Sequence, residues 1–218
     1  MDRKNKISAR KLKERELKVD EILKAAEKVF LSKGFLKSTM DEIADEAALS
    51  KPTIYKFFST KEDLYFSLLI PVLQEWLNDL EAIHVQLQLN MYNSGEALLR
   101  NIMNVFFKNY IKNPDLFMIV QLFHQAGKLW TLDAKTDSTI RTLSKAVTAE
   151  MRNLYNTAVE RKLVKDIDRY SFIEVLLGSI FGITQLHDAR LKGGNREHRL
   201  EKVIDAAVEL FSRSIVLE

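Results

Sequence analysis

Lys51, Thr53, Tyr55 and Lys56 fall within six consecutive residues, and their side chains suit a polyanion with polar edges. Lysine ammonium groups neutralise phosphate oxygens, and hydroxyl and ammonium donors reach either phosphates or base edges. Ile54 and Phe58, four apart, lie on the other side of the same short helix, so the polar residues share a free face. Inserted into a major groove, such a helix reads bases while its flanks grip the backbone. Other chemistries find less support. With no cysteine in the chain, disulfides, thiolate zinc sites and cysteine nucleophiles are excluded. His84, His124, His187 and His198 form no pair four apart and no HExxH, so no metal site is expected. No phosphate-binding loop or nucleophile–base pair occurs either, which argues against an enzyme and against a bound cofactor.

The elements that must position this face are legible around it. Val19, Ile22, Leu23, Ala26, Val29 and Phe30 line one side of a helix running to Lys33, and Gly34 supplies a left-handed stop. Thr39 followed three residues later by Glu42 has the form of a capping box, opening a short helix that turns Met40, Ile43, Ala44 and Ala47 inward. After a turn at Ala48-Leu49-Ser50, a second short helix is expected from Lys51 to about Phe58, with Ser50 as cap and Pro52 in the first turn. Two short helices joined by a tight turn and braced by a longer one form a helix-turn-helix. Ser59 or Thr60 caps a further helix whose first turn holds Glu62 and Asp63, and Pro71 should bend or interrupt it near Ile70.

Beyond residue 90 amphipathic helices are expected at 94–112, 114–130, 137–162, 168–189 and 196–216. The expected architecture is all-α, with about nine helices, no persistent strand alternation and no internal repeat. Only 7 Gly and 3 Pro occur in 218 residues, which disfavours the many tight turns of a β-sandwich or barrel. The net charge of +3 identifies no partner, but residues 1–18 hold eight Lys/Arg against three Asp/Glu. The domain reading is therefore a basic flexible arm at 1–16, a helix-turn-helix domain at 17–63 and a helical domain at 64–218. The N-terminus lacks the apolar core of a signal peptide, and the apolar stretch from Phe172 to Leu186 is short for a membrane span and contains Glu174. A soluble cytoplasmic protein is expected.

From Gly34-Phe35 through Ser38-Thr39-Met40-Asp41-Glu42-Ile43-Ala44 and Ala47 to Leu64, the chain resembles the TetR (tetracycline repressor) family. The resemblance covers roughly residues 18–66. Ala48 and Lys51-Pro52 depart mildly from positions where the family often carries glycine. By this resemblance Ser38 and Thr39 would bond phosphate, Lys51, Thr53 and Lys56 would face bases or phosphates, Tyr55 would pack on the DNA backbone, and Lys61 would hold a phosphate. The resemblance also implies a C-terminal domain with a ligand cavity and a two-fold interface.

Aromatic and polar residues that could line such a cavity are Trp76, Phe106, Phe107, Phe117, Gln121, His124, Trp130 and Tyr155, with Gln121 and His124 as polar orienters. Aromatic stripes at helical spacing also simply pack, so a core role competes with this reading. Two stripes on the last helices suit association: Phe172, Leu176, Ser179, Ile180 and Ile183, then Val203, Ala207, Leu210 and Phe211. One short reading head gives little specificity, whereas two heads related by a two-fold match half-sites about 34–36 Å apart. The expected function is a dimeric, sequence-specific DNA-binding repressor released from double-stranded operator DNA by an unidentified small-molecule effector. The alternative is a ligand-independent or partner-controlled DNA binder of the same fold, and a membrane-surface helical protein is a distant third.

Overall fold

The computed structural model describes residues 3–126, 132–190 and 196–217, and all of their side chains except those of residues 3–7, 124–126, 188, 190 and 196–198. Among them are ten helices: α1 (Arg3–Lys33), α2 (Met40–Glu46), α3 (Lys51–Tyr55), α4 (Lys61–Ser67), α5 (Leu69–Gln88), α6 (Gly95–Lys112), α7 (Pro114–Ala126), α8 (Ala134–Glu160), α9 (Arg169–Arg190) and α10 (Arg196–Ile215). No strand occurs among the described residues; one isolated antiparallel bridge pairs Val164 with Val216. The count is nine if α4 and α5, parted only by Leu68, are taken as one helix. The interruption expected near Ile70 thus falls two residues earlier. Pro71 then occupies the first turn of α5, where its missing N–H has no helical acceptor to lose.

The chain forms two compact units, one of Met1–Ile70 with Ala126–Thr139, the other of Pro71–Gln125 with Ile140–Glu218. In the first, α1 buries Ile22, Ala25, Ala26, Val29 and Phe30. The helix begins well before its apolar face: from Arg3 onward, the residues read as a flexible arm are helical. Lys, Arg, Glu and Leu are good helix formers, and no glycine or proline interrupts the segment. At the other end Gly34 takes φ +76°, and its N–H donates to the Phe30 carbonyl at 2.8 Å. The rings of Phe30, Phe35 and Tyr65 then meet, with centroids 5.0 Å apart for Phe30–Tyr65 and 4.7 Å for Phe35–Tyr65. This cluster brings α4 against the end of α1.

The turn between α2 and α3 closes α2 by a Schellman arrangement, in which the Leu49 N–H donates to the Ala44 carbonyl at 2.9 Å. Its left-handed position is filled by Ala48, at φ +52°. A Cβ in this conformation costs about 1 kcal/mol relative to glycine. Ala48→Gly is therefore expected to raise the urea midpoint of this unit by an amount equivalent to about 1 kcal/mol, and an unchanged or lowered midpoint would remove the strain argument.

The second unit has an aromatic centre. Trp76, Phe106, Phe107, Tyr110 and Phe117 are all at most 2 % exposed. Trp76 meets Phe106 edge-on with centroids 4.8 Å apart, and Phe117 lies 5.6 Å from both Trp76 and Tyr110. At one end of this unit a Cβ on Gly95 would come within 2.3 Å of the Leu163 carbonyl oxygen, so only glycine permits that approach. His84 of α5 pins α8: its Nδ1 is 2.5 Å from Glu150 Oε1, and its Nε2 is 3.0 Å from Thr157 Oγ1.

Candidate nucleic-acid interface

The geometry of the reading head starts with Thr39. Its side-chain oxygen accepts from the Glu42 N–H at 3.2 Å, while the Thr39 N–H donates to Glu42 Oε2 at 3.0 Å. The capping box is complete, and it fixes where α2 begins. Lys33 also donates to Glu42 Oε1 at 2.5 Å. That bond, with the Thr39 N–H, holds the Glu42 carboxyl below the usual glutamate range. Because the folded value lies below the unfolded one, this stabilisation is complete above the ordinary value of about 4.3 and disappears as pH falls through the lowered value. Glu42→Gln keeps an acceptor for the Thr39 N–H but loses the charge. Urea midpoints of wild type and variant should differ at neutral pH and converge in acid; a constant difference would show that the charge plays no part.

α3 is five residues long and is held by one buried anchor, Ile54, at 0 % exposure. It ends at Tyr55 rather than near Phe58, because the Phe57 N–H turns to the Ile54 carbonyl at 2.9 Å and tightens the last turn. Around Ile54 the helix leaves Lys51 and Tyr55 exposed, Tyr55 at 44 %, and Lys56 is exposed just past its end. Lys51 Nζ donates to Asp41 Oδ2 at 2.9 Å, which raises the pKa of its ammonium above the ordinary lysine value and keeps it charged. A phosphate approaching Lys51 must share it with that carboxylate. Thr53 is half-buried, its hydroxyl 2.7 Å from that of Ser50. Ser50 precedes α3, but its hydroxyl makes no bond to the α3 backbone, so its expected capping role is replaced by the pairing with Thr53.

Two expected phosphate ligands are engaged elsewhere. Ser38 is 2 % exposed and donates to the Phe35 carbonyl at 2.9 Å. The Lys61 ammonium donates to the carbonyls of Phe35 and Ser38 at 2.8 and 3.0 Å and sits 4.3 Å from the Phe35 ring centroid. Both hold the α1–α2 loop in place, since carbonyls turned inward there need donors. They position Thr39 rather than extend the polar surface. Sequence reasoning passed over Lys37, which is exposed just before the capping box; a lone charge in a loop gives no periodic signal.

In the second unit, the residues proposed as cavity lining are mostly packed against one another. Gln121 donates to the Phe181 carbonyl at 3.1 Å and to Thr184 Oγ1 at 2.9 Å. The Tyr155 hydroxyl donates to the carbonyls of Lys165 and Ile167, at 2.9 and 3.1 Å. His124 lies in α7, but its side chain, and Trp130 altogether, fall outside the described residues. Trp76 differs from the rest: its Nε1–H is buried with no hydrogen-bond partner among the described residues. An apolar cavity of about 30 Å³ lies beside Tyr155, lined also by Leu98, Met151, Phe172 and Leu176.

The stripes read as association surfaces divide. Leu176, Ile180 and Ala207 are buried within the unit, and Phe172 is half-buried against Phe211, ring centroids 6.0 Å apart. Ser179, Ile183 and Phe211 are also half-buried. Val203 and Leu210 remain exposed, at 42 % and 69 %. On α9 the outward positions are instead Val175 and Leu186, with Gly178 and Gly182 between them, where an added Cβ would meet nothing within 4 Å among the described residues.

A capped α2, a tight turn and an anchored α3 with an outward polar face, joined to an all-helical second unit, define a helix-turn-helix DNA-binding regulator. Residues 22–68 match the family model of bacterial regulatory proteins of the tetR family. The HTH-type transcriptional repressor NicS of Pseudomonas putida is 28 % identical over 149 residues, 67 % of this chain and 66 % of the repressor's own length. A TetR transcription regulator from Haloarcula marismortui superposes with a TM-score of 0.70 at 18 % identity, covering 93 % of this chain and 100 % of that one. AibR, solved in complex with isovaleryl coenzyme A and operator DNA, superposes with a TM-score of 0.62 at 19 % identity, covering 88 % and 97 %. Similarity at these identities establishes the shared fold.

Proposed function

We propose that this chain is a sequence-specific transcriptional repressor of the cytoplasm, acting as a homodimer on double-stranded operator DNA and released by a small-molecule effector. The observation that carries the DNA-binding part is α3 itself: Ile54 is fully buried, while Lys51 and Tyr55 on the same short helix and Lys56 at its end are exposed. Thr39, Lys51, Tyr55 and Lys56 form the proposed contact set, with Thr53 at its edge. Regulation rather than catalysis accords with the family, and repression accords with the similarity to NicS.

For the effector, the proposed residues are Trp76, Phe106, Phe107, Phe117, Gln121 and Tyr155. The indole N–H of Trp76, unpartnered among the described residues, supports this reading, because a buried donor without an acceptor costs stability that a ligand acceptor would restore. AibR offers a parallel as a relative in fold seen with both an acyl-coenzyme A and operator DNA. Packing favours the second reading, a regulator without a small-molecule effector, since the cavity beside Tyr155 has room for about one water. Selecting duplexes from a random pool with the full-length chain, then screening small molecules for release of the enriched duplex, tests both. Enrichment followed by release supports the effector-controlled repressor; enrichment without release by any compound favours the second; no enrichment removes both.

For the dimer, the proposed face comprises Val175, Gly178, Gly182 and Leu186 of α9 with Val203 and Leu210 of α10. Apolar side chains this exposed lose water contact when a partner covers them, and the glycines let a helix approach closely. Leu210→Glu is expected to shift the chain to a monomer in sedimentation at micromolar concentration without loss of helicity. A wild-type monomer, or an unshifted variant, would place association elsewhere.

A further inference from the structure

Helix α1 extends far beyond the reading head it braces, and its charges are unevenly distributed around it. At about 100° per residue, Lys11 and Lys18 lie within about 60° of Arg15, and the buried anchor Ile22 within about 20°. The acids Glu14, Glu16, Asp20 and Glu21 all lie about 100° or more from Arg15. One face of the extension is therefore basic and carries no acid of its own, although Lys18 at its border pairs with Glu21 at 2.7 Å; the others mix charges and pair them, as in Arg10–Glu14 at 2.8 Å and Lys24–Asp20 at 2.7 Å. The basic face looks toward the reading head, because the Arg15 guanidinium lies over the Phe57 ring, 5.9 Å from its centroid, two residues past Tyr55. Ser8 to Leu17 are exposed throughout, so this face covers no core of its own.

We propose that this face, through Lys11 and Arg15, is a second DNA-binding element, a helical clamp on the phosphates that flank the groove entered by α3. The assignment rests on the DNA-binding reading of α3. A rigid helix suits the task better than a loose arm, because its cations are pre-positioned and little side-chain and backbone freedom is lost on binding. Contacts of this kind add affinity and salt dependence but little sequence preference.

The test compares two double variants with the same change in net charge: Lys11→Ala with Arg15→Ala on the basic face, and Arg10→Ala with Lys13→Ala on the opposite one. Binding to a fluorescein-labelled duplex enriched by the wild type is followed by anisotropy from low to moderate salt. Each lost phosphate contact should reduce the slope of log K against log salt by about 0.9, so the first pair should lose about 2 and the second almost nothing. The base preference of the first pair should match that of the wild type. Equal losses in both pairs, or no loss in the first, overturn the clamp while leaving the reading head intact. So does a first pair that weakens binding to phosphatidylserine vesicles but not to the duplex. A wild type that enriches no duplex overturns the reading head and the clamp together.

Discussion

Tyr55→Ala combined with Lys56→Ala is expected to remove sequence-specific DNA binding while leaving the protein folded. Each contact of a reading helix to a base edge or its flanking phosphate is worth roughly 1–3 kcal/mol, so the pair should weaken binding by about a hundredfold or more. Stability should scarcely change, because both side chains are exposed and the anchor Ile54 is untouched. Anisotropy against an enriched duplex, with the urea midpoint as companion measurement, separates the two effects. A double variant that still binds as tightly as the wild type would move the reading face away from α3. The variant also contrasts with the basic-face pair on α1, which is expected to lower affinity uniformly across sequences.

The second large effect is expected in the other unit. Phe106 is fully buried and packs edge-on against Trp76, itself in contact with Phe117. Phe106→Ala removes a ring from this junction and leaves a void that closely packed neighbours cannot refill. A cost of about 3–5 kcal/mol is expected, a large share of a typical domain's stability. Urea unfolding followed by far-UV circular dichroism measures it. A loss below about 1 kcal/mol would mean that the cluster is loosely packed, and that a ligand displaces its side chains more easily than this geometry suggests. Filling of the void by an added aromatic compound, seen as recovery of the midpoint, would mark the cluster as a place where small molecules enter.

The helix-turn-helix was legible because its signals are local. Thr39 and Glu42 are three residues apart, Gly34 ends a run of apolar residues, and Pro52 sits one residue inside a helix start. Each acts through neighbouring backbone, so spacing alone is informative. The start of α1 is not legible in the same way. Its first half has no apolar face, and amphipathicity is silent where a helix meets only water. Helix propensity without a breaker carried the segment to Arg3.

The partners of polar groups were not legible. Ser38 and Lys61 have the right types for phosphate, yet both serve the carbonyls of one loop, and Lys61 reaches back 26 residues to do so. Likewise Leu176 and Val175 are adjacent in sequence and equally apolar, but one is buried and the other open. Which of them is covered depends on how α6, α8 and α10 pack around α9, which no local pattern encodes.

The sequence by itself determined the all-helical architecture, the limits of α2 and the start of α3, and the polar face of that helix, because these follow from backbone hydrogen bonding and helical period within a few residues. Only the tertiary structure decided which of the candidate donors remain available. It turned Ser38 and Lys61 inward, left Lys56 and Tyr55 outward, stranded the Trp76 N–H among rings, and set the acid-free face of α1 beside Phe57. The physical reason is that a polar group's role depends on what lies within about 3 Å of it, and that distance is set by chain segments far apart in sequence.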